Sequence, residues 1–428
     1  MTSLSFAGFR QQISSDITVL MEPEGTTRRL LGAADAQQPW TLARLRKLVS
    51  VESPSDSKAG VDRAAARVAE WSVELGGRVK MHRQRAHGDL LEVRFGAART
   101  GRRTDLANGR KPVLLLGHLD TVWPMGTLKR MPWKVSGGRA GRIWGPGVLD
   151  MKAGVVMALA AIRLLQEAGL PMKPAILLLN SDEEIGSPVS RPLTEKIAAG
   201  CEAVFVLEPA QGLGGAYKTA RKGVGDYRLR VKGVAAHSGV DFEKGHSAIL
   251  ELAWLLARVS AFTDLKRGIT VNPGVIGGGT RSNVIAAEAW AEVDVRITKL
   301  SDAARLDRLF HSLRCEDKHC SLEIAGGINR PPMERKPGTV ALFKQARRLA
   351  AEMGFALDEA STGGGSDGNF TAALGVPTLD GMGAVGEGAH AAHESLLLEH
   401  LAPRTALLAV MLARPGGPAT LVRGRTLR

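Results

Sequence analysis

Three short, unbroken apolar runs constrain this chain more than any other feature: residues 112–120 (PVLLLGHLD), 175–184 (AILLLNSDEE) and 203–209 (AVFVLEP). Successive side chains of a strand point to opposite faces, so a strand that is apolar at every position must be covered on both sides. Residues 151–169, between the first two runs, set Val155, Leu159 and Ile162 on one helical face and stop at Gly169. Such strands alternating with helices predict an α/β domain built on a mostly parallel sheet.

Residues 216–326 follow another rule. Tyr227, Leu229 and Val231 alternate with Arg228, Arg230 and Lys232, and residues 287–297 alternate likewise. Half-polar strands suit an antiparallel sheet with one wet face. The predicted order is strand, helix (246–262), strand (269–276), strand (287–298), helix (302–314), strand (321–325). That is the β-α-β-β-α-β order of a ferredoxin-like module. The chain therefore reads as an N-terminal arm without sustained periodicity (1–38), a first α/β segment (39–215), an inserted module (216–326) and a second α/β segment (327–428). Leu42, Leu45, Leu48 and Val49 share a helical face, and a second helix is predicted over 62–75.

The formal net charge of +14 raises the question of nucleic acid. The basic residues are dispersed, and the densest cluster, 99–111, has no aromatic side chain for base stacking. No nucleic-acid partner is expected, though a preference for anionic small substrates fits the charge. The three cysteines, Cys201, Cys315 and Cys320, lack paired zinc-site spacing and are too few for a disulfide framework. With no basic start followed by an apolar run, and no long apolar stretch, the expectation is a cytoplasmic chain without a membrane partner. A disulfide-free periplasmic protein would share this pattern.

The chemistry sits where the apolar runs end. His118 and Asp120 close the first, Glu183 and Glu184 the second, and Glu208 the third. Ligands of open α/β sheets gather at the carboxyl ends of strands. Asp150 opens a helix, and His390 and His393 lie in a late loop. Two imidazoles and several carboxylates converging on one sheet edge suit zinc, with Co2+ or Mn2+ as substitutes. Asp120, two residues from His118, can face the same way and orient its imidazole. The glycine-rich loop 362–369 can present backbone N–H groups to an anion, which puts Gly364, Gly365 and Ser366 among the substrate-binding candidates. Arg296, on the polar side of its strand, is a candidate clamp for a substrate carboxylate. Tyr217, Lys218, Arg221 and Lys222 read as a solvated basic hinge.

Eight stretches in order carry a resemblance: GHLDTV (117–122), GPGVLDMKAG (145–154), SDEEIGS (181–187), VLEPA (206–210), KGVAAHSG (232–239), GGGTRSNVI (277–285), TGGGSDGNF (362–370) and GEGAHAAHE (386–394). The chain resembles the aminoacylase–carboxypeptidase G family of di-zinc metallopeptidases, which includes acetylornithine deacetylase and succinyl-diaminopimelate desuccinylase. The resemblance implies two zinc ions per subunit in the α/β domain, which then becomes a catalytic domain, and an inserted module that serves as dimerisation lid. It implies His118 on one metal, Asp150 bridging both, and Glu184 and Glu208 on one metal each. The last ligand is His390 rather than His393, because the family sets this histidine four residues before a glutamate, here Glu394. Glu183 becomes the general base. His237 is implied to stabilise the oxyanion from a partner subunit, and Asn283 to bind substrate in the same way. The expected activity is hydrolysis of an amide bond next to a free carboxylate in a small molecule or short peptide, as in glutamate carboxypeptidases. N-acyl-amino-acid deacylation is the alternative, and a homodimer the expected assembly. The ligand set with Glu183 argues against a third reading, a non-catalytic, metal-free binding protein on this fold.

Overall fold

The computed structural model describes residues 23–96 and 111–413. A six-stranded mixed sheet forms the centre. The strand Val113–His118 lies in the middle, parallel to Ala175–Asn180 on one side and Ala203–Val206 on the other. Thr378–Leu379 extends the parallel part beyond Ala203–Val206. On the opposite flank, Leu90–Phe95 and Arg78–His82 run antiparallel.

The three apolar runs are buried on both faces for the reason their composition predicts. Val113, Leu115, Leu177 and Leu179 face one hydrophobic core, while Leu114, Leu116, Ile176 and Leu178 face another. The first core is closed by the helices Pro23–Val49, Lys58–Glu74, Ala153–Glu167 and Leu401–Ala413. The second is closed by the helix Arg191–Ala198, through Leu193, Ile197 and Ala198. Gly154 lets Ala153–Glu167 approach closely: a Cβ there would stand 2.0 Å from the Leu207 carbonyl oxygen. This contact sets the start of that helix beside the segment carrying Glu208.

One expectation needs correcting. The first helix begins at Pro23, inside the stretch read as a loose arm, and buries Leu30 and Ala34 in the main core. Its polar sequence hid this, because only a narrow stripe of the helix faces inward. Residues 1–22 and the basic stretch 97–110 lie outside the described residues.

A second, four-stranded sheet is wholly antiparallel. Its strands are Thr270–Gly278, Glu288–Ile297, Gly223–Lys232 and Ser321–Arg330, in that spatial order. The helices Ala248–Ser260 and Leu300–His311 pack on one face over Tyr227, Leu229, Val231, Val293 and Val295. This is the ferredoxin-like arrangement. Its last strand runs to Arg330, beyond the predicted end at 325, with a register shift between Ile328 and Arg330. Gly326 and Gly327 broke the alternation that would have shown this in the sequence. Among the described residues no helix is long and apolar enough to cross a membrane.

Candidate active site

The central strands deliver their ends to one place. His118 is the last residue of Val113–His118, and Glu183 and Glu184 form the turn after Ala175–Asn180. Glu208 follows Ala203–Val206. Asp150 lies in a distorted turn, Val148–Lys152, just before the helix Ala153–Glu167.

Two triads share one carboxylate. His118 Nε2 stands 3.3 Å from Asp150 Oδ1 and 3.6 Å from Glu208 Oε1. His390 Nε2 stands 3.4 Å from Asp150 Oδ2 and 3.1 Å from Glu184 Oε2. Each triad can present one ligand atom per residue to a single ion, with Asp150 common to both. His390 reaches the cluster from a left-handed conformation, φ 63°. His393 is exposed and packs over Gly388.

Three atoms of these residues, His118 Nε2, Asp150 Oδ1 and Glu184 Oε1, are buried and have no hydrogen-bond partner among the described residues. Buried polar atoms are rarely left unpaired, so such a cluster fits a bound cation. The protonation preferences point the same way. Burial opposes a proton on His118, yet Asp120, Asp150 and Glu208 outweigh it and raise its pKa well above the ordinary value. Asp150 and Glu184 raise His390 to about 10. Burial raises Glu184 to about 7, while it is overcome at Asp150, which His118 and His390 hold well below the usual carboxylate range. The site is thus a cradle of negative charge that draws in positive charge.

Around it stands a hydrogen-bonded frame. His118 Nδ1 donates to the Asp120 carbonyl at 2.9 Å, and the Asp120 carboxylate is farther, 3.4 Å. That carboxylate instead accepts from Ser55 Oγ and from the N–H groups of Glu183 and Glu184, so it fixes the Glu183–Glu184 turn. Glu394 is fully buried and accepts from Gly147, Leu149 and Asp150 N–H and from Trp123 Nε1, at 2.7–3.1 Å. It holds the turn that carries Asp150. Gly147 is needed there, since its φ is 69° and a Cβ would stand 2.6 Å from Thr121 Cγ2.

Burial pushes the Glu183 carboxyl well up, against the pull of Arg330. Arg330 Nη2 lies 3.0 Å from Glu183 Oε1 and also donates to the Glu183 carbonyl and Ser187 Oγ. Its other nitrogen meets Asp367 at 2.5 Å, and Asp367 in turn accepts from Asn180 and Ser187. Arg330 lies beyond the Gly326–Gly327 break in the alternation, so no local pattern marks it as part of the strand.

The basic hinge is not solvated. Tyr217, Lys218 and Arg221 are buried, in the strand Tyr217–Arg221 paired parallel to Glu359–Thr362. Arg221 makes a two-bond pair with Asp380, at 2.7 and 2.8 Å, and donates to the carbonyls of Gly364 and Gly365. It stands 3.6 Å from Glu208. Between them, Arg221 and Arg330 fix the glycine-rich loop from below. Tyr217, Lys218, Thr219 and Arg221 are all buried, so no period-two alternation marks this strand, and its charges alone suggest a solvated segment.

Ser366 corrects another expectation. It is fully buried, donates to Asp380 at 2.6 Å and offers its N–H to Asn369 Oδ1. It shapes the loop and has no polar group left for a ligand. Gly364 is exposed with open space around it, whereas Gly365 packs against Arg330 and Val224. Arg296 reaches this loop, 3.5 Å from the Gly363 carbonyl, but its fork is paired with Asp294 at 2.6 and 2.9 Å. His237 and Asn283 are exposed and adjacent, joined by the Ser238 N–H to the Asn283 carbonyl and by a bridge from His237 to Val284. Among the described residues no hydrogen bond or ion pair links either to the two triads.

Paired His–carboxylate triads on a strand-end edge, with a further, partly buried glutamate beside them, are the site of a metal-dependent hydrolase. The chain belongs to peptidase family M20/M25/M40, whose model matches residues 114–414. Family members of this kind are metallopeptidases and amidohydrolases, and the chain is accordingly an enzyme that hydrolyses amide bonds and uses a divalent metal. It is 28% identical to carboxypeptidase G2 of a Pseudomonas species over 84% of this chain and 85% of that protein. It is 30% identical to succinyl-diaminopimelate desuccinylase of Delftia acidovorans, over 67% and 76% respectively. Among solved structures, the aminopeptidase PepT of Bacillus cereus shares the fold with a TM-score of 0.70 at 23% identity, over 88% of this chain and 98% of that one. An M20 family metallo-carboxypeptidase of Sulfolobus solfataricus does so at 0.66 and 16%, over 87% and 99%.

Proposed function

We propose that the chain is a di-zinc exopeptidase that cleaves an amide bond next to a free carboxylate and releases a C-terminal amino acid such as glutamate. The observation that carries the reading is the pair of triads sharing Asp150, with Glu183 partly buried beside them and the glycine loop tied to Glu208's neighbour Arg221 and reached by Arg296. His118, Asp150 and Glu208 would hold one ion, and Asp150, Glu184 and His390 the other. When bound, the ions supply Lewis-acid polarisation of the scissile carbonyl and make water more acidic.

The chain's own residues do the rest. Glu183 takes a proton from the attacking water and hands it to the leaving nitrogen. Arg330 fixes the Glu183 carboxylate through Oε1 and through the backbone carbonyl. Asp120 and Glu394 hold the two ligand turns, and Arg296 and Gly364 receive the substrate carboxylate. His237 and Asn283 act from a second subunit, where His237 donates to the oxyanion. The antiparallel module supports a dimer. Thr270–Gly278 is an edge strand with Val275 and Ile276 exposed, and Ile249, Leu250 and Trp254 are exposed on the helix Ala248–Ser260. An exposed apolar edge of this kind invites pairing with a second copy.

The desuccinylase likeness supports a second reading, an N-acyl-amino-acid deacylase with the same chemistry and another acyl pocket. Rates on folate-like and dipeptide substrates, compared with N-acyl amino acids, separate the two. Amidating the carboxylate of a cleaved substrate should sharply lower kcat/KM, because the charge-assisted contacts lose their partner. Equal cleavage of acid and amide would exclude the exopeptidase.

A further inference from the structure

Outside the strand-end cluster, the antiparallel module brings together His246, Asp317 and His319. One ligand atom from each lies within 4.8 Å of the others. His246 Nδ1 stands 2.6 Å from Asp317 Oδ2, and the two imidazole rings are 4.1 Å apart. We propose that these three residues form a separate binding site for a divalent transition-metal ion, with zinc the best match, that ties two loops of the module together.

The donor set is two imidazoles and one carboxylate, which suits a borderline ion such as zinc and leaves one tetrahedral position for water. Both loops are fixed before any ion binds. His246 exchanges two backbone hydrogen bonds with Val234, each 2.9 Å, immediately before the helix Ala248–Ser260. The other loop is held by Glu251, a buried carboxylate on that helix, which accepts from the N–H groups of Glu316 and Asp317. Asp317 Oδ1 accepts from the His319 N–H, which leaves Oδ2 directed at His246. Cys315 and Cys320 flank this loop but pack into the module's apolar core. The polar residues between them are the ones presented to His246. Exposure of His319 gives an ion a path in.

The site also has a defined consequence. The Val234–His246 bridge closes the excursion that carries His237. An ion at His246 would anchor the end of that excursion to the loop 315–320, as structural zinc does when it ties loops that lack a core of their own.

The test is zinc retained per chain at a buffered free concentration, for the full-length wild type, Asp317→Asn and His319→Ala. Asp317→Asn keeps the side-chain shape, and amide hydrolysis by both variants reports that the fold is intact. Each variant should hold one equivalent less than wild type. The same difference should persist in a His118→Ala background, where the strand-end cluster is damaged, so the result does not depend on how many ions that cluster takes. Equal zinc in all three proteins would overturn the proposal. So would a difference that vanishes in the His118→Ala background, because the lost ion would then belong to the strand-end cluster.

Discussion

Glu394→Gln separates a positioned metal cradle from a loose collection of acids. The Glu394 carboxylate is fully buried, and each oxygen accepts two bonds: Oε1 from Leu149 and Asp150 N–H, Oε2 from Gly147 N–H and Trp123 Nε1. Glutamine has the same shape but one acceptor oxygen. Its amide nitrogen would face two donors, whichever way it turned, and leave them unpaired. A buried donor without a partner costs about 1–3 kcal/mol, so two cost roughly 2–6 kcal/mol. Solvent screening brings no discount at a site closed to water. Because Asp150 N–H is one of the four donors, the loss also reaches the shared ligand. Zinc affinity should fall roughly 10–100-fold, as when a partner that orients a ligand is removed. Denaturant unfolding of chelator-treated protein gives the first quantity and competition with a chromophoric chelator the second. A variant within about 0.5 kcal/mol of wild type, the range of an ordinary surface substitution, and with unchanged zinc affinity would refute the reasoning.

Elemental analysis of the Asp317→Asn protein purified without chelator, which counts the strand-end cluster apart from the module's loops, should find two zinc equivalents, and His390→Ala should lose more metal than His393→Ala; the reverse order would reassign the ligand. Glu183→Gln should keep its metal and lose ~10²–10⁴ in turnover, since the amide cannot accept the proton; a rate within a few-fold of wild type would remove Glu183 from the mechanism. Mixing Glu183→Gln with His237→Ala under subunit exchange should restore activity, because one site of the mixed dimer is complete; no recovery despite proven exchange would place His237 outside the neighbour's site.

Much of this architecture is written in local patterns. The unbroken apolar runs at 113–116, 175–179 and 203–206 could satisfy both faces only inside a covered sheet, and Leu114 and Leu115 do turn to different cores. Polar residues at the carboxyl ends of parallel strands gather at one edge, so His118, Glu183, Glu184 and Glu208 stand out from the sequence alone. The alternation of residues 227–232 likewise announced a sheet with one wet face.

Charged residues whose burial depends on distant partners were not legible. Arg221 and Arg330 look solvated in sequence, because a guanidinium is expected outside unless it is paired. Their partners, Asp380 and Asp367, lie 159 and 37 residues away, and only the folded chain brings them together. The same holds for Ser366, which local composition placed at a ligand and the Asp380 carboxylate turns inward. The His246–Asp317–His319 cluster joins loops 71 residues apart and has no motif to mark it. Sequence determines what is covalently local and periodic; desolvation and charge pairing are properties of the whole fold, and here they decided which basic residues frame the site.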